Sequence, residues 1–290
     1  MSARSEPGAA APRARTGTGS WTVPARFSFN QATAKYWPIP DLVAGCVAAG
    51  VTQIGLWREE TAAYGLEKTA ALVRDAGLTV TSLCRGGFFN TPDWYDENRR
   101  AIDEAATLGA PVLVLVSGGL PEGSRDLDAA RARVGAAIGE LVPYARAAGV
   151  GLAIEPLHPM FCSDRCVVSS LGQALDLAAP YPAETVGVVV DTYHVWWDDQ
   201  VWAQIARAGR EERIACFQVA DWITPLPEGV LLGRGLPGEG CVELRRFRDA
   251  VTGAGYHGPI EVEVFHAGLW ARPGAEILAR TLAGYLAHVD

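Results

Sequence analysis

No apolar run in this chain approaches the roughly 20 residues that a membrane helix needs, so no spanning helix is expected. Basic charge is scarce as well. Lys and Arg number 25 against 33 Asp and Glu, a formal net charge of −8. That balance argues against a nucleic-acid partner, because phosphate-backbone binding relies on clustered cations. Met1–Ser20 has no apolar segment of the kind a secretory leader carries. Rich in Ala, Gly, Pro, Ser and Arg, residues 1–20 read as a disordered tail ahead of one domain over residues 21–290. Of the six cysteines, only Cys162 and Cys166 stand close together, and no second Cys or His pair has the spacing of a zinc site. The thiols are expected to be reduced and the protein cytoplasmic, with Cys84 and Cys216 buried in strands as small hydrophobes. A Gly-rich phosphate turn after the first strand is missing too, since Phe29-Asn30-Gln31-Ala32 is not one. That disfavours a doubly wound nucleotide-binding sheet.

What is present is alternation. With 49% hydrophobic residues, 290 positions suffice for one large core. Strands are predicted over 26–30, 52–57, 78–84, 111–116, 151–155, 186–191, 214–219 and 259–264. Helices are predicted over 41–49, 65–76, 93–108, 126–148, 170–178, 200–208, 244–254 and 275–288. Asp41 after Pro40 is a plausible N-cap, and Gly77, Gly109 and Gly149 stand where helices should stop. Pro111–Val116 is apolar throughout, as a strand covered on both faces should be. Eight such units predict an α/β fold, a single (β/α)₈ TIM barrel, whose function sits at the C-terminal ends of its strands.

Four of those ends carry oxygen ligands. Gly151-Leu-Ala-Ile-Glu155-Pro-Leu-His158 ends in Glu155, Val186–Asp191 ends in Asp191 with His194 after it, Ile214–Val219 carries Gln218, and Pro259–Val264 carries Glu261 and Glu263. Three carboxylates on one low-dielectric rim repel one another and lose hydration. A divalent cation removes that penalty. Pairing with Lys or Arg is the alternative, but none lies within these strands except at their margins. The expected metal ligands are Glu155, Asp191, Gln218 and Glu263. Glu261 has the same parity as Glu263 and points inward one layer deeper, as a supporting partner or the true ligand. An all-oxygen shell favours Mn²⁺ or Mg²⁺ over zinc, with Co²⁺ also compatible.

The chain from Phe27 onward resembles the xylose isomerase-like TIM barrels, a superfamily of sugar epimerases, inosose isomerase and dehydratase, dehydroshikimate dehydratase and endonuclease IV. The resemblance rests on Glu155, on Asp191 with His194, on Gln218, on Glu263, and on Pro237-Gly238-Glu239-Gly240. It departs from the pattern at Gln218, where most epimerases carry His. Phe161 and Thr224 stand where tagatose-type ketose 3-epimerases place Glu and Arg. Endonuclease IV needs many histidines, and this chain has five.

The resemblance implies a bound metal that chelates neighbouring substrate oxygens and stabilises an enediolate. Glu155 and Glu263 then remove and return a proton beside a carbonyl. His158 and His194 stand at the rim as acid, base or hydrogen-bond donors. A loop contact is the alternative for His158, and orienting a ligand is the alternative for His194. Arg85 and Arg58 follow strands at the same rim and can clamp a carboxylate, phosphate or hydroxyls, or else pair with Glu59, Glu60 or the metal carboxylates. Trp57 and Trp222, with Phe88, Phe89, Trp196, Trp197 and Trp270, offer aromatic walls for a sugar or cyclic face, or else lid and oligomer packing. Gly235–Gly240 is either a loop lying over a bound ligand or a plain connection.

The expectation is a metal-dependent sugar or cyclitol isomerase or epimerase. Alternatives are a lyase or dehydratase on the same site, acting on a keto-cyclitol, on dehydroshikimate, or as a 3-keto C-glycoside-cleaving subunit, and a non-catalytic sugar-binding barrel. The expected partners are a small-molecule substrate and a second copy or partner subunit, with neither nucleic acid nor membrane.

Overall fold

The structure is a computed structural model that describes residues 22–290, so the expected N-terminal tail lies outside the described residues. Eight parallel strands close into a barrel. They are β1 (Phe27–Asn30), β2 (Gln53–Trp57), β3 (Thr79–Gly87), β4 (Val112–Val116), β5 (Gly151–Ile154), β6 (Val186–Asp191), β7 (Ile214–Val219) and β8 (Ile260–Val262). A helix follows each strand, as the alternation predicts. No helix among the described residues is long and apolar enough to cross a membrane.

Three local readings change. The first main helix starts at Ile39 after Pro38, so Asp41 lies in its first turn, where a carboxylate faces the positive end of the helix dipole. A further short helix, Arg58–Tyr64, begins directly at the end of β2. Strand β3 runs on to Gly87, three residues past the expected end, which makes Arg85 a strand residue. Gly87 is what lets it run on. Its φ is +101°, and a Cβ there would lie 1.9 Å from the Val116 carbonyl oxygen on β4.

The alternation of β-strand side chains divides the core in two. Outward residues such as Phe29, Leu56, Leu83, Leu113, Leu152, Val188 and Phe217 pack beneath the helices. Inside the barrel, one side is apolar, built from Cys84, Val112, Val114, Ala153, Val189 and Cys216. The two cysteines are free and buried, as expected, and Cys162 and Cys166 are also unpaired. The opposite side of the interior is polar. The register aligns Ser28 with Glu261, Glu261 with Gln218, and Gln218 with Asp191.

Glu261 is the centre of that polar half. Its carboxylate accepts from Asn30 Nδ2 at 2.7 Å, Thr81 Oγ1 at 2.6 Å, Ser82 Oγ at 2.9 Å and Gln218 Nε2 at 2.9 Å. A buried carboxylate costs several kcal/mol unless such donors replace water. The geometry also demands Gly55 on β2, where a Cβ would sit 2.6 Å from Glu261 Cδ. Gly55→Ala is therefore expected to lower stability by about 1–3 kcal/mol through overpacking. Urea denaturation tests it, and an unchanged midpoint would mean that the Glu261 network shifts freely.

Candidate metal and catalytic site

Four polar side chains meet at the barrel mouth. Asp191 ends β6, and its Oδ1 accepts from Tyr193 N at 2.8 Å, which starts the short helix Thr192–Val195 and leaves Oδ2 turned to the mouth. Glu155 follows β5, and Pro156 ends the strand there. Glu263 follows β8, and its Oε1 accepts from Trp57 Nε1 at 3.3 Å. Gln218 lies in β7. All four are buried.

One cation crosses this group, and it escaped the sequence reading. Arg234 Nη1 lies 3.2 Å from Asp191 Oδ2 and 3.1 Å from Glu263 Oε2. Its guanidinium is held between the rings of Tyr193 and Phe265, at 4.7 and 4.8 Å. Arg234 comes from no barrel strand. Arg234–Gly235 pairs antiparallel with Asp221–Trp222 in a two-residue ribbon beyond β7. Asp221 ties the following Gly-rich loop to that ribbon, accepting from Gly238 N and Val242 N. The loop thus positions Arg234. Its only early signal was an Arg directly before the flagged glycines.

The charges still do not balance. Glu155, Asp191 and Glu263 have Arg234 as their one guanidinium ion-pair partner among the described residues, with Arg85 a weaker influence on Glu155, which leaves two formal negative charges. The Glu155 carboxylate has no hydrogen-bond or ion-pair partner among the described residues. Burial, with Glu263 and Asp191 beside it, pushes Glu155 well above the usual carboxylate range. Burial raises Asp191 as well, against Arg234. Burial also pushes Glu263 up to about 7, again against Arg234. The Arg234 guanidinium is itself disfavoured by burial, but the three carboxylates together raise it above its ordinary value.

A divalent ion fits these residues. Gln218 spends its Nε2 on Glu261, and its Oε1 is a buried acceptor with no partner. That orphaned oxygen, the unpartnered Glu155 carboxylate and the two-charge excess all ask for a cation. Among the described residues, Glu155, Asp191 and His194 offer ligand atoms within 4.8 Å of one another, a trio that does not include Glu263.

His194 is held from two sides. Its Nδ1 lies 3.1 Å from His158 N, and its Nε2 lies 3.0 Å from Arg234 Nη2. Both neighbours donate, and a neutral imidazole has one acceptor nitrogen, so one tautomer satisfies only one of them. Protonating the ring would leave it no acceptor at all, and burial, then Arg234, push His194 well below the ordinary histidine range.

The other sequence candidates separate. His158 packs its ring 5.0 Å from Trp222 and 5.5 Å from Trp197, and its Nδ1 accepts from Met160 N. Trp222 is buried against His158, Tyr193 and Trp196 and does not face the mouth cavity. Trp57 does line that cavity, together with Arg85. Arg58 turns away. It pairs with Glu97 at 2.8 Å and with Glu104, both on the helix Trp94–Leu108, because the helix starting at Arg58 carries its side chain outward from the barrel. It is removed from the site.

This closed parallel barrel with acidic side chains at its C-terminal mouth matches the family model for xylose isomerase-like TIM barrels over residues 43–283. The chain belongs to that family. It is similar to protein SMc04130 of Sinorhizobium meliloti 1021, with 45% identity, 92% of this chain and 99% of that chain covered, and a TM-score of 0.88. It shares the fold of the IolI protein solved with a bound zinc atom, at 21% identity, 91% and 98% coverage and a TM-score of 0.77. It also shares that of D-psicose 3-epimerase from Clostridium cellulolyticum H10, solved with D-tagatose, at 13% identity, 91% and 98% coverage and a TM-score of 0.72. No curated protein matches the sequence.

Proposed function

We propose that this protein is a divalent-metal-dependent isomerase or epimerase acting on a hydroxy-carbonyl sugar or cyclitol. The observation that carries the reading is the pair Glu155 and Glu263. Both are buried carboxylates with raised proton affinity, delivered from β5 and β8 to one mouth beside an orphaned amide oxygen. The fold relatives are consistent with it, since one was solved with zinc and another with a ketose.

Glu155, Asp191, Gln218 and Glu263 would hold the ion, with His194 at hand as a nitrogen donor. The oxygen-rich set suits Mn²⁺ first, then Mg²⁺ or Co²⁺. When bound, the ion supplies Lewis-acid stabilisation of negative charge on the substrate oxygens. The chain's own groups then act on protons. Glu155 and Glu263, delivered from different strands, would take the proton from the carbon beside the carbonyl and return it. The neutral His194 ring, set against the His158 N–H and the Arg234 guanidinium, holds those two groups in place at the mouth. Trp57 holds Glu263 through its indole N–H, while the aromatic rim excludes water.

Elimination is the second outcome this site supports. Phe161, at the position where ketose 3-epimerases place Glu, is buried with its ring 6.0 Å from that of His194, so no carboxylate grips a ketose there. Product analysis separates the two, because a dehydratase creates a conjugated chromophore.

The test has two readouts. Mn²⁺ at about 100 times its Kd should raise the melting temperature of chelator-treated protein by roughly 5–10 °C. The loaded protein in D₂O should introduce deuterium beside the carbonyl of at least one member of a panel of ketoses, inosose, dehydroshikimate and 3-keto glycosides. A melting point indifferent to every divalent ion would sink the metal reading. Exchange into none of the panel by metal-loaded protein would sink the proton-transfer reading.

A further inference from the structure

Two arginines at the mouth are poorly compensated by acids, and they describe one end of the substrate. A cavity lined by Trp57, Arg85, Arg165 and Phe265 has a volume of about 350 Å³, in the range of small-molecule sites, and the acidic cluster lies behind its Trp57 and Phe265 wall without lining it. Trp57 and Phe265 form its inner wall, and both also touch the acidic cluster, Trp57 through Glu263 and Phe265 through Arg234. Arg85, Arg165 and Lys35 project into the same space.

Arg85 stacks over Phe88, with the guanidinium carbon 4.2 Å from the ring centre. Its nearest acid, Glu59, is 3.8 Å away and largely exposed, so that pair is weak, and Glu155 acts on it more faintly still. Arg165 has no side-chain hydrogen bond or ion pair among the described residues. The Nε atoms of both arginines are buried and unpartnered. Burial, and after Glu59 the neighbouring Arg165, act on Arg85, whose guanidinium is held below its ordinary value. Two converging, poorly compensated guanidinium groups in a half-buried pocket are costly for a neutral ligand and favourable for an anionic one.

We propose that Arg85 and Arg165 clamp a carboxylate on the substrate, so that the enzyme acts on a sugar acid or polyhydroxy keto acid. The proposal rests on the isomerase reading for the reaction and on this cavity for the substrate class. The local charge decides between carboxylate and phosphate. With a divalent ion offsetting the two-charge excess of Glu155, Asp191 and Glu263, Lys35, Arg85 and Arg165 against Glu59 and Glu60 leave one positive charge, which a carboxylate balances and a phosphate dianion overshoots. The planar guanidinium fork also matches a carboxylate in two-point contact.

Calorimetric titration of the Mn²⁺-loaded full chain with D-galactose, D-galacturonate and D-galactose 6-phosphate reads the clamp. D-galacturonate is expected to bind about 30-fold more tightly than D-galactose, with that preference lost in Arg165→Gln and in Arg85→Gln. Circular dichroism and melting confirm that both variants fold. Equal binding of the neutral and acidic sugars would overturn the clamp, and tightest binding of the phosphate would overturn the carboxylate. Deuterium exchange into D-tagaturonate and D-tagatose separates this from the reaction. A galacturonate preference that depends on Arg165, without exchange into either sugar, keeps the clamp and sinks the isomerase reading. Exchange into D-tagaturonate that is no faster than into D-tagatose and is indifferent to Arg165→Gln does the reverse.

Discussion

Glu155→Gln and Glu263→Gln should each lower deuterium exchange into the substrate by about 10³–10⁴-fold while the protein stays folded. Glutamine keeps the size and one oxygen of each side chain, so packing survives. It cannot take up a proton, and it removes one of the three charges that would hold the ion. The two losses are distinguishable. If the residue serves mainly as a ligand, excess Mn²⁺ restores much of the rate. If it moves the proton, saturating metal restores binding and not turnover. The double variant should be little worse than the worse single one, because groups acting on one proton path are not additive. Retention of the full exchange rate by either single variant would remove that residue from the chemistry. Glu261→Gln is the contrast. Its carboxylate is enclosed by Asn30, Thr81, Ser82 and Gln218, so the expected damage is to stability.

Arg234→Leu should cost the metal-free protein about 3–5 kcal/mol, because it leaves Asp191 and Glu263 buried without their cation. The sign follows from desolvation. An isolated charge in a dry site is costlier than the lost Coulomb pair was worth. Metal should reverse most of the loss, since a divalent ion neutralises the same carboxylates. Denaturant titration with chelator and then with Mn²⁺ measures both values. A loss of similar size in both conditions would mean that Arg234 contributes through its packing between Tyr193 and Phe265 and not through charge.

The two variants together test how the cluster handles its excess negative charge. Arg234 offsets one of the three charges in the metal-free protein and leaves an acceptor on Gln218 and a carboxylate on Glu155 unused. In Glu155→Gln the remaining acids number two, so metal should bind more weakly while the metal-free protein gains stability. Opposite movement of those two quantities is what a cation site requires.

The barrel and the strand-end positions of its acidic side chains were legible in the sequence because both are local properties. Strand parity, the apolar run at Pro111–Val116 and the stops at Gly109 and Gly149 depend on neighbours a few residues away. The same parity places Glu155, Asp191, Gln218 and Glu263 at strand ends. Parity could not separate Glu261 from Glu263, which face the same way. Only the closed barrel shows that Glu261 is enclosed by donors from β1, β3 and β7, while Glu263 stands at the mouth. Nor could it sort the arginines. Arg58 turns to Glu97 and Glu104 because a helix starts at its own position. Arg165 reaches the mouth from a loop held to β4's end by the Gly118–Cys166 bridge. Arg234 arrives on a two-residue ribbon whose pairing with Asp221–Trp222 no periodicity announces. The acids were readable because strands deliver them. The cations that balance them come from loops, and where a loop side chain ends is decided by what the rest of the fold places against it.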